Sequence, residues 1–268
     1  MRLSVLMVAC WCALCLAGCR LRQTPTKGAD VSPAPVGVPE RSTPESKEPA
    51  GEPGNEAPPC DAQQFAYEGY EVKTTAYADL DGQGTHECLI GCQGTKTDDL
   101  GEPQEPAYFT VARYDGKQWA EWFGIPAPGD ERYVDQESVV ATEDLNEDGV
   151  VELALQYYGF GVSSRPETLY VWRVTGEGLE GAIRGDAVET SSDDGLLIQD
   201  VDRRWPGREI VFAIAQIGDE AHAAPHVYRI VVYGWADGLY RKVASSTPRQ
   251  EYAGSEAALK AYVARRSR

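Results

Sequence analysis

The chain has 268 residues and a formal net charge of −17. That excess of acid excludes the basic surfaces that a nucleic-acid partner rewards. It favours solubility and cation binding.

The segment from Met1 to Cys19 stands outside any fold. Arg2 gives a positive start and Leu3–Leu16 is almost wholly apolar. The run is too short for a comfortable membrane span and polar sequence follows it, so it reads as a secretory signal. Residues 20–59 are rich in Pro, Glu, Ser, Thr and Gly and have almost no aromatics. Such a segment buries too little apolar surface to offset its ordering entropy. It reads as a tether, on the order of 120 Å long if fully extended. A β domain is expected over 60–250, and a helix or tail over 251–268. Ser255 is placed to cap a short helix, Glu256–Arg265, whose Leu259, Tyr262 and Val263 would cover a sheet edge.

Within the domain one pattern recurs three times. Repeat one predicts strands over 71–77, 87–92, 107–114 and 118–123. Repeat two predicts them over 138–142, 152–158, 168–174 and 179–183. Repeat three predicts them over 195–199, 209–216, 227–234 and 239–243. The hairpin turns are marked by Asp115-Gly116, Gly176-Glu177-Gly178 and Asp237-Gly238, and Asp-Gly between β-prone runs is a strong hairpin signal. The expectation is an all-β, propeller-like array of three four-stranded antiparallel sheets with a short C-terminal helix. Propellers have four to eight blades. Three sheets therefore imply a divergent extra blade, an open arc, or a ring completed between chains.

Each repeat carries an acidic loop between its first two strands. Loop two reads Asp144-Leu145-Asn146-Glu147-Asp148-Gly149-Val150-Val151-Glu152. Oxygen-bearing side chains fall at positions one, three, five and nine, with a glycine at six for the turn. That spacing suits a hard cation such as Ca²⁺, which takes six to eight oxygens. The expected ligands are Asp144, Asn146, Asp148, Glu152 and the Val150 carbonyl. An EF-hand needs a glutamate at position twelve, where Leu155 stands. Loop one offers Asp79, Asp81, Gln83, Glu87 and the Thr85 carbonyl, and is weaker because a neutral amide replaces a carboxylate. Loop three is one residue longer. It keeps Asp200 and Asp202 but puts Arg204 at the third ligand position, so a metal-free loop held by an Asp–Arg pair is expected. The cofactor expectation is one or two structural Ca²⁺ ions.

The pattern Asp-x-Asp/Asn-x-x-Gly-x-x-Glu between two strands, in units of about sixty residues, resembles the FG-GAP or VCBS repeat of integrin α-subunit propellers and bacterial surface proteins. The resemblance covers roughly Phe65–Ser245. It implies a calcium-binding propeller-like scaffold whose opposite loops meet a protein or a glycan. Those loops here hold Asp98 to Glu105, Asp130 to Asp135, Tyr158 to Arg165, and Asp219-Glu220. At the N-terminus, Leu16-Ala17-Gly18-Cys19 resembles the lipobox of bacterial lipoproteins. It implies cleavage after residue 18, lipidation of Cys19, membrane attachment and, with Arg20 following, the outer membrane.

Three further mature cysteines remain. Cys88 and Cys92 lie about 13 Å apart along one strand, too far to bond each other. Cys60 could pair with either, or both could be small core residues. His222 and His226 have a zinc-like spacing, but Ala224-Pro225 between them argues for loop, and no third ligand is evident. No nucleophile–base motif or phosphate loop is present. The leading reading is a non-catalytic, membrane-anchored calcium-binding module. The alternatives are an envelope hydrolase acting through loop carboxylates and a purely structural envelope component.

Overall fold

The computed structural model describes residues 57–127, 129, 131–160, 165–183, 185, 187–218 and 224–266. The signal segment, Cys19 and the tether as far as residue 56 lie outside the described residues. So do Asp130, Asp219, Glu220 and His222.

Among the described residues fourteen strands are formed. The first sheet is β1 (Tyr70–Ala78), β2 (Glu87–Gly94), β3 (Tyr108–Tyr114) and β4 (Trp119–Pro126). The second is β5 (Val139–Glu143), β6 (Glu152–Tyr158), β7 (Pro166–Thr175) and β8 (Gly178–Gly181), with β9 (Val188–Ser191) paired to β7. The third is β10 (Gly195–Gln199), β11 (Glu209–Ala215), β12 (His226–Ala236) and β13 (Leu239–Ser246), with β14 (Glu251–Tyr252) paired to β12. All twelve expected strands are present and the pairing is antiparallel, each sheet a simple meander. The second and third sheets have five strands rather than the expected four. β9 and β14 are only four and two residues long, too short for an alternation to announce them.

The sheets stack face to face, and strict alternation along the central strands fixes how. Leu153, Leu155 and Tyr157 of β6 point toward the first sheet and meet Leu89, Phe109 and Val111. The intervening Ala154 points the other way, into a core with Ile210 and Phe212 of β11. The next residues of β11, Val211 and Ala213, face outward again. Each sheet thus presents one face to its predecessor and the other to its successor. Burying a large apolar side chain contributes about 1.5–3 kcal/mol, so register is strongly specified on both faces.

The array is open, and its two ends are covered by the chain itself. Among the described residues no sheet precedes the first, and its outer face carries Cys88, Ile90, Cys92 and Tyr108. There the N-terminal segment packs through Cys60, Ala62, Phe65 and Ala66, including a single 3-10 turn at Ala62–Phe65. Among the described residues no sheet follows the third. Helix α1 (Ser255–Arg266) lays Ala258 and Leu259 on Val211, Ala213 and Ile230. The helix expected at 256–265 is therefore real, but it covers a sheet face rather than an edge. Stacked repeats expose a hydrophobic face at each terminus, and both are capped here. No helix among the described residues is long and apolar enough to cross a membrane.

Candidate metal centre

All three acidic loops sit at the same end of their sheets, between first and second strands, and all are tied by the same glutamate. Glu87, Glu152 and Glu209 open β2, β6 and β11 and are buried, at 1%, 0% and 0% exposure. Each turns back and accepts a loop N–H. Leu80 donates to Glu87 Oε2 at 2.8 Å, Leu145 to Glu152 Oε2 at 2.8 Å, and Val201 to Glu209 Oε2 at 2.7 Å. The apolar residue at loop position two is thereby held inward. Burial pushes all three carboxyls above the ordinary range, Glu152 to about 7. Desolvation outweighs the opposing hydrogen bonds and the nearby arginines.

A guanidinium that the motif does not announce enters loops one and two from the third strand. Arg113 of β3 places Nη2 2.6 Å from Asp81 Oδ2 and Nε 3.3 Å from Glu87 Oε1. It also lies over the Trp122 ring, 3.4 Å from the centroid. Arg173 of β7 places Nη2 2.7 Å from Asp148 Oδ2 and Nε 3.6 Å from Glu152 Oε1. Arg173 pairs with Glu152 across the ladder, so the two arginines hold equivalent places. The available sequence signal was their shared position just before the hairpin turn.

The two loops differ in what they leave open. In loop one, Asp79, Asp81 and Glu87 converge, with one oxygen of each within 4.8 Å of the others. Asp79 Oδ2 accepts the Gly84 N–H at 2.8 Å, while Asp79 Oδ1 is buried and has no donor. These three could hold a metal ion. Gln83 and Thr85 are exposed at the loop tip, where Gln83 donates its backbone N–H to Asp81 Oδ1.

In loop two every side-chain oxygen of the motif has a donor. Asp144 accepts from the Asp148 and Gly149 N–H groups. Asn146 donates Nδ2 to Glu152 Oε1 at 2.8 Å and accepts the Asp148 N–H. Asp148 accepts the Val150 N–H and Arg173. Loop two was expected to be the better site from its sequence. The converging carboxylates and the spare buried oxygen belong to loop one.

Loop three follows another plan. Gly234 stands opposite the start of β11, where the other repeats have arginine, and Trp205 lies on it, 2.8 Å from where a Cβ would stand. The cation comes from the loop itself. Arg204 forks onto Asp202, with Nε 2.8 Å from Oδ1 and Nη2 2.5 Å from Oδ2. Arg266 of α1 adds a contact to Asp202 at 3.2 Å. The Arg204 fork holds the Asp202 carboxyl below its usual range. Asp200, its partner in the motif, stays exposed outside this fork.

The extra residue of loop three also has a use. It lets Gly207, at φ +70°, press against loop two, where an added Cβ would lie 2.1 Å from the Leu145 carbonyl. The Arg208 N–H then donates to that carbonyl at 2.7 Å, and Arg208 pairs with Glu143.

The three described cysteines are free thiols. Cys60 lies within hydrogen-bond reach of Cys88, and Cys92 meets Tyr108 instead. At the opposite ends of the strands, Asp98 accepts the Leu100 and Glu102 N–H groups and so organises its own turn. Arg165 lies over the Tyr158 ring, 3.7 Å from its centroid, and pairs with Asp135. Compared with known proteins, the chain matches no family model and no curated protein.

Proposed function

We propose that the chain is a non-catalytic extracytoplasmic β module stabilised by Ca²⁺ at loop one. Lipidated Cys19 anchors it at the outer membrane, and residues 19–59 hold it off the surface. Its free loops, at the ends of the strands away from the acidic loops, engage a protein or a glycan. The observation that carries this reading is the convergence of Asp79, Asp81 and Glu87 around a buried oxygen with no donor. Asp79, Asp81 and Glu87 would hold the ion, with Gln83 and the Thr85 carbonyl completing an oxygen set of the kind Ca²⁺ prefers. The ion supplies positive charge that offsets repulsion among clustered acids; it has no substrate to act on. The resemblance of the loops to FG-GAP repeats and of residues 16–19 to a lipobox supports the same reading.

The test is thermal melting of the chain in excess chelator, in Ca²⁺ and in Mg²⁺. A ligand that binds only the folded state at about ten times its Kd raises the melting point of a domain this size by about 5 °C. Calcium is expected to do so and magnesium to do markedly less. Superimposable curves in calcium and chelator would overturn the reading.

A further inference from the structure

The outer face of the first sheet holds thiols that the acidic loops do not use. Cys88 of β2 is fully buried there, and the segment leading into β1 lies across it. The backbone hydrogen bonds of that segment, Gln64 to Asp61 and Ala66 to Gln63, stay within it. Side chains of the sheet fix it instead, on both sides of Cys60. Trp119 of β4 donates Nε1 to the Pro58 carbonyl at 2.8 Å. The Tyr108 hydroxyl of β3 accepts the Tyr67 N–H at 2.7 Å, and the two rings stack with centroids 4.6 Å apart. Cys60 is thereby set down on the apolar cluster that contains Cys88, its thiol within hydrogen-bond reach of the Cys88 thiol. Tyr77, the cross-strand partner of Cys88, lies beside both cysteines.

Cys92 shares the outer face but stands four residues further along β2, against Tyr108. From sequence alone Cys60 has two candidate partners; the contacts that flank it select Cys88. Cys60 is partly exposed and Cys88 is not, so a reagent in solution meets Cys60 first. Burial pushes both thiols up, so exchange in the folded chain is slow at neutral pH and quickens as pH rises.

We propose that Cys60 and Cys88 form a disulfide that fastens the N-terminal segment to β2, leaving Cys92 a reduced core residue. The oxidant is a small disulfide. The Cys60 thiolate attacks one of its sulfurs and expels the other as a thiolate. The Cys88 thiolate then attacks the Cys60 sulfur of the mixed disulfide and expels the second. The two cysteines lose two electrons, the small disulfide gains them, and the two cysteine protons end on the released thiols. The bond closes a loop of about 28 residues and removes freedom from the unfolded chain. It stands whether or not loop one takes calcium.

The test incubates the full chain with oxidised glutathione at pH 8.5, alkylates the remaining thiols and maps the linked peptides by mass. Trypsin leaves Cys60 in residues 48–73 and both Cys88 and Cys92 in residues 74–96, so Cys88→Ala and Cys92→Ala decide the partner. The link between these peptides should form in wild type and in Cys92→Ala and vanish in Cys88→Ala. Oxidation should raise the melting point of wild type by about 10 °C and leave that of Cys60→Ala, altered at a partly exposed position, unmoved. A link that survives in Cys88→Ala, a Cys60 that stops at the glutathione adduct, or a linked chain that melts with the reduced one would each overturn it.

Discussion

Loops one and two share a motif, a clamping glutamate and an arginine from the third strand, yet they offer a cation different things. In loop two the Asn146 amide and the loop N–H groups use up the oxygens. In loop one the Asp79 Oδ1 atom has nothing to accept from. A motif counts the ligands a loop owns. The rest of the fold decides how many of them remain to be satisfied. Loop two, the closer match in sequence, has become self-sufficient, while the looser loop one retains an unmet need.

The loops also differ in support, and here the largest effect is expected. Loop two leans on the third sheet through Gly207, whereas Gly82, Gly84 and Gly149 have open space where a Cβ would go. Gly207→Ala forces a Cβ into the Leu145 carbonyl and penalises a left-handed backbone. Left-handed strain costs about 1–2 kcal/mol and overpacking about 1–3 kcal/mol. The expected loss is thus about 2–5 kcal/mol in urea unfolding. Gly149→Ala carries only the backbone penalty, about 1–2 kcal/mol. Equal losses at the two glycines would remove the buttress from the comparison.

What could be read from sequence, and what could not, divides along the same line. The strands were legible because alternation and Asp-Gly turns are local signals; Glu87 and Glu152 stood out by their fixed loop offsets, but as cation ligands, not as acceptors of the Leu80 and Leu145 N–H groups. Arg113 and Arg173 were not. They sit about 25 residues from the acids they neutralise, and only the β2–β3 and β6–β7 registers bring them back. The end caps were half legible. The α1 helix was visible from its apolar spacing, but the face it covers depends on which sheet lacks a successor. Loop three's arginine pair was legible because Arg204 and Asp202 are near neighbours. The role of Gly207 was hidden because its contact lies in another repeat.

Arg173 tests how far loop two depends on its internal cation. Arg173→Ala strips the counter-charge from Asp148 and from Glu152, which is fully buried. Breaking a buried pair costs about 3–5 kcal/mol. Asp148 is partly solvated and Glu152 can take up a proton, so about 2 kcal/mol is expected at pH 8. The sign of the pH dependence follows from Glu152. Its folded pKa, about 7, lies above the ordinary 4.5, so its protonated form favours the fold and that stabilisation fades as pH rises through 7. Near pH 5 the folded carboxyl is mostly neutral and needs the guanidinium less. The loss from Arg173→Ala should therefore shrink at pH 5 and grow toward pH 8. A pH-independent loss would mean that Arg173 acts by packing near Trp235 rather than by charge.

The smallest change in stability should come from Asp79→Asn, and it separates the loops most cleanly. In chelator the substitution keeps the side-chain oxygen that accepts the Gly84 N–H. It removes one of three converging negative charges and changes an oxygen that no donor holds. Stability without metal should move by less than about 1 kcal/mol. The calcium response should nevertheless fall sharply, because a neutral amide lowers the charge count that sets affinity at an oxygen site. Asp144→Asn is the counterpart in loop two. Its oxygens are both engaged by backbone N–H groups, so it should lower stability in chelator and leave most of the calcium response intact. The motif alone orders the two variants the other way, with Asp144 the more important ligand. Melting in chelator and in calcium, with stoichiometry by equilibrium dialysis, decides between the orders. If Asp144→Asn abolishes the response and Asp79→Asn spares it, the cation belongs to loop two, and its internal hydrogen bonds must open to admit the ion.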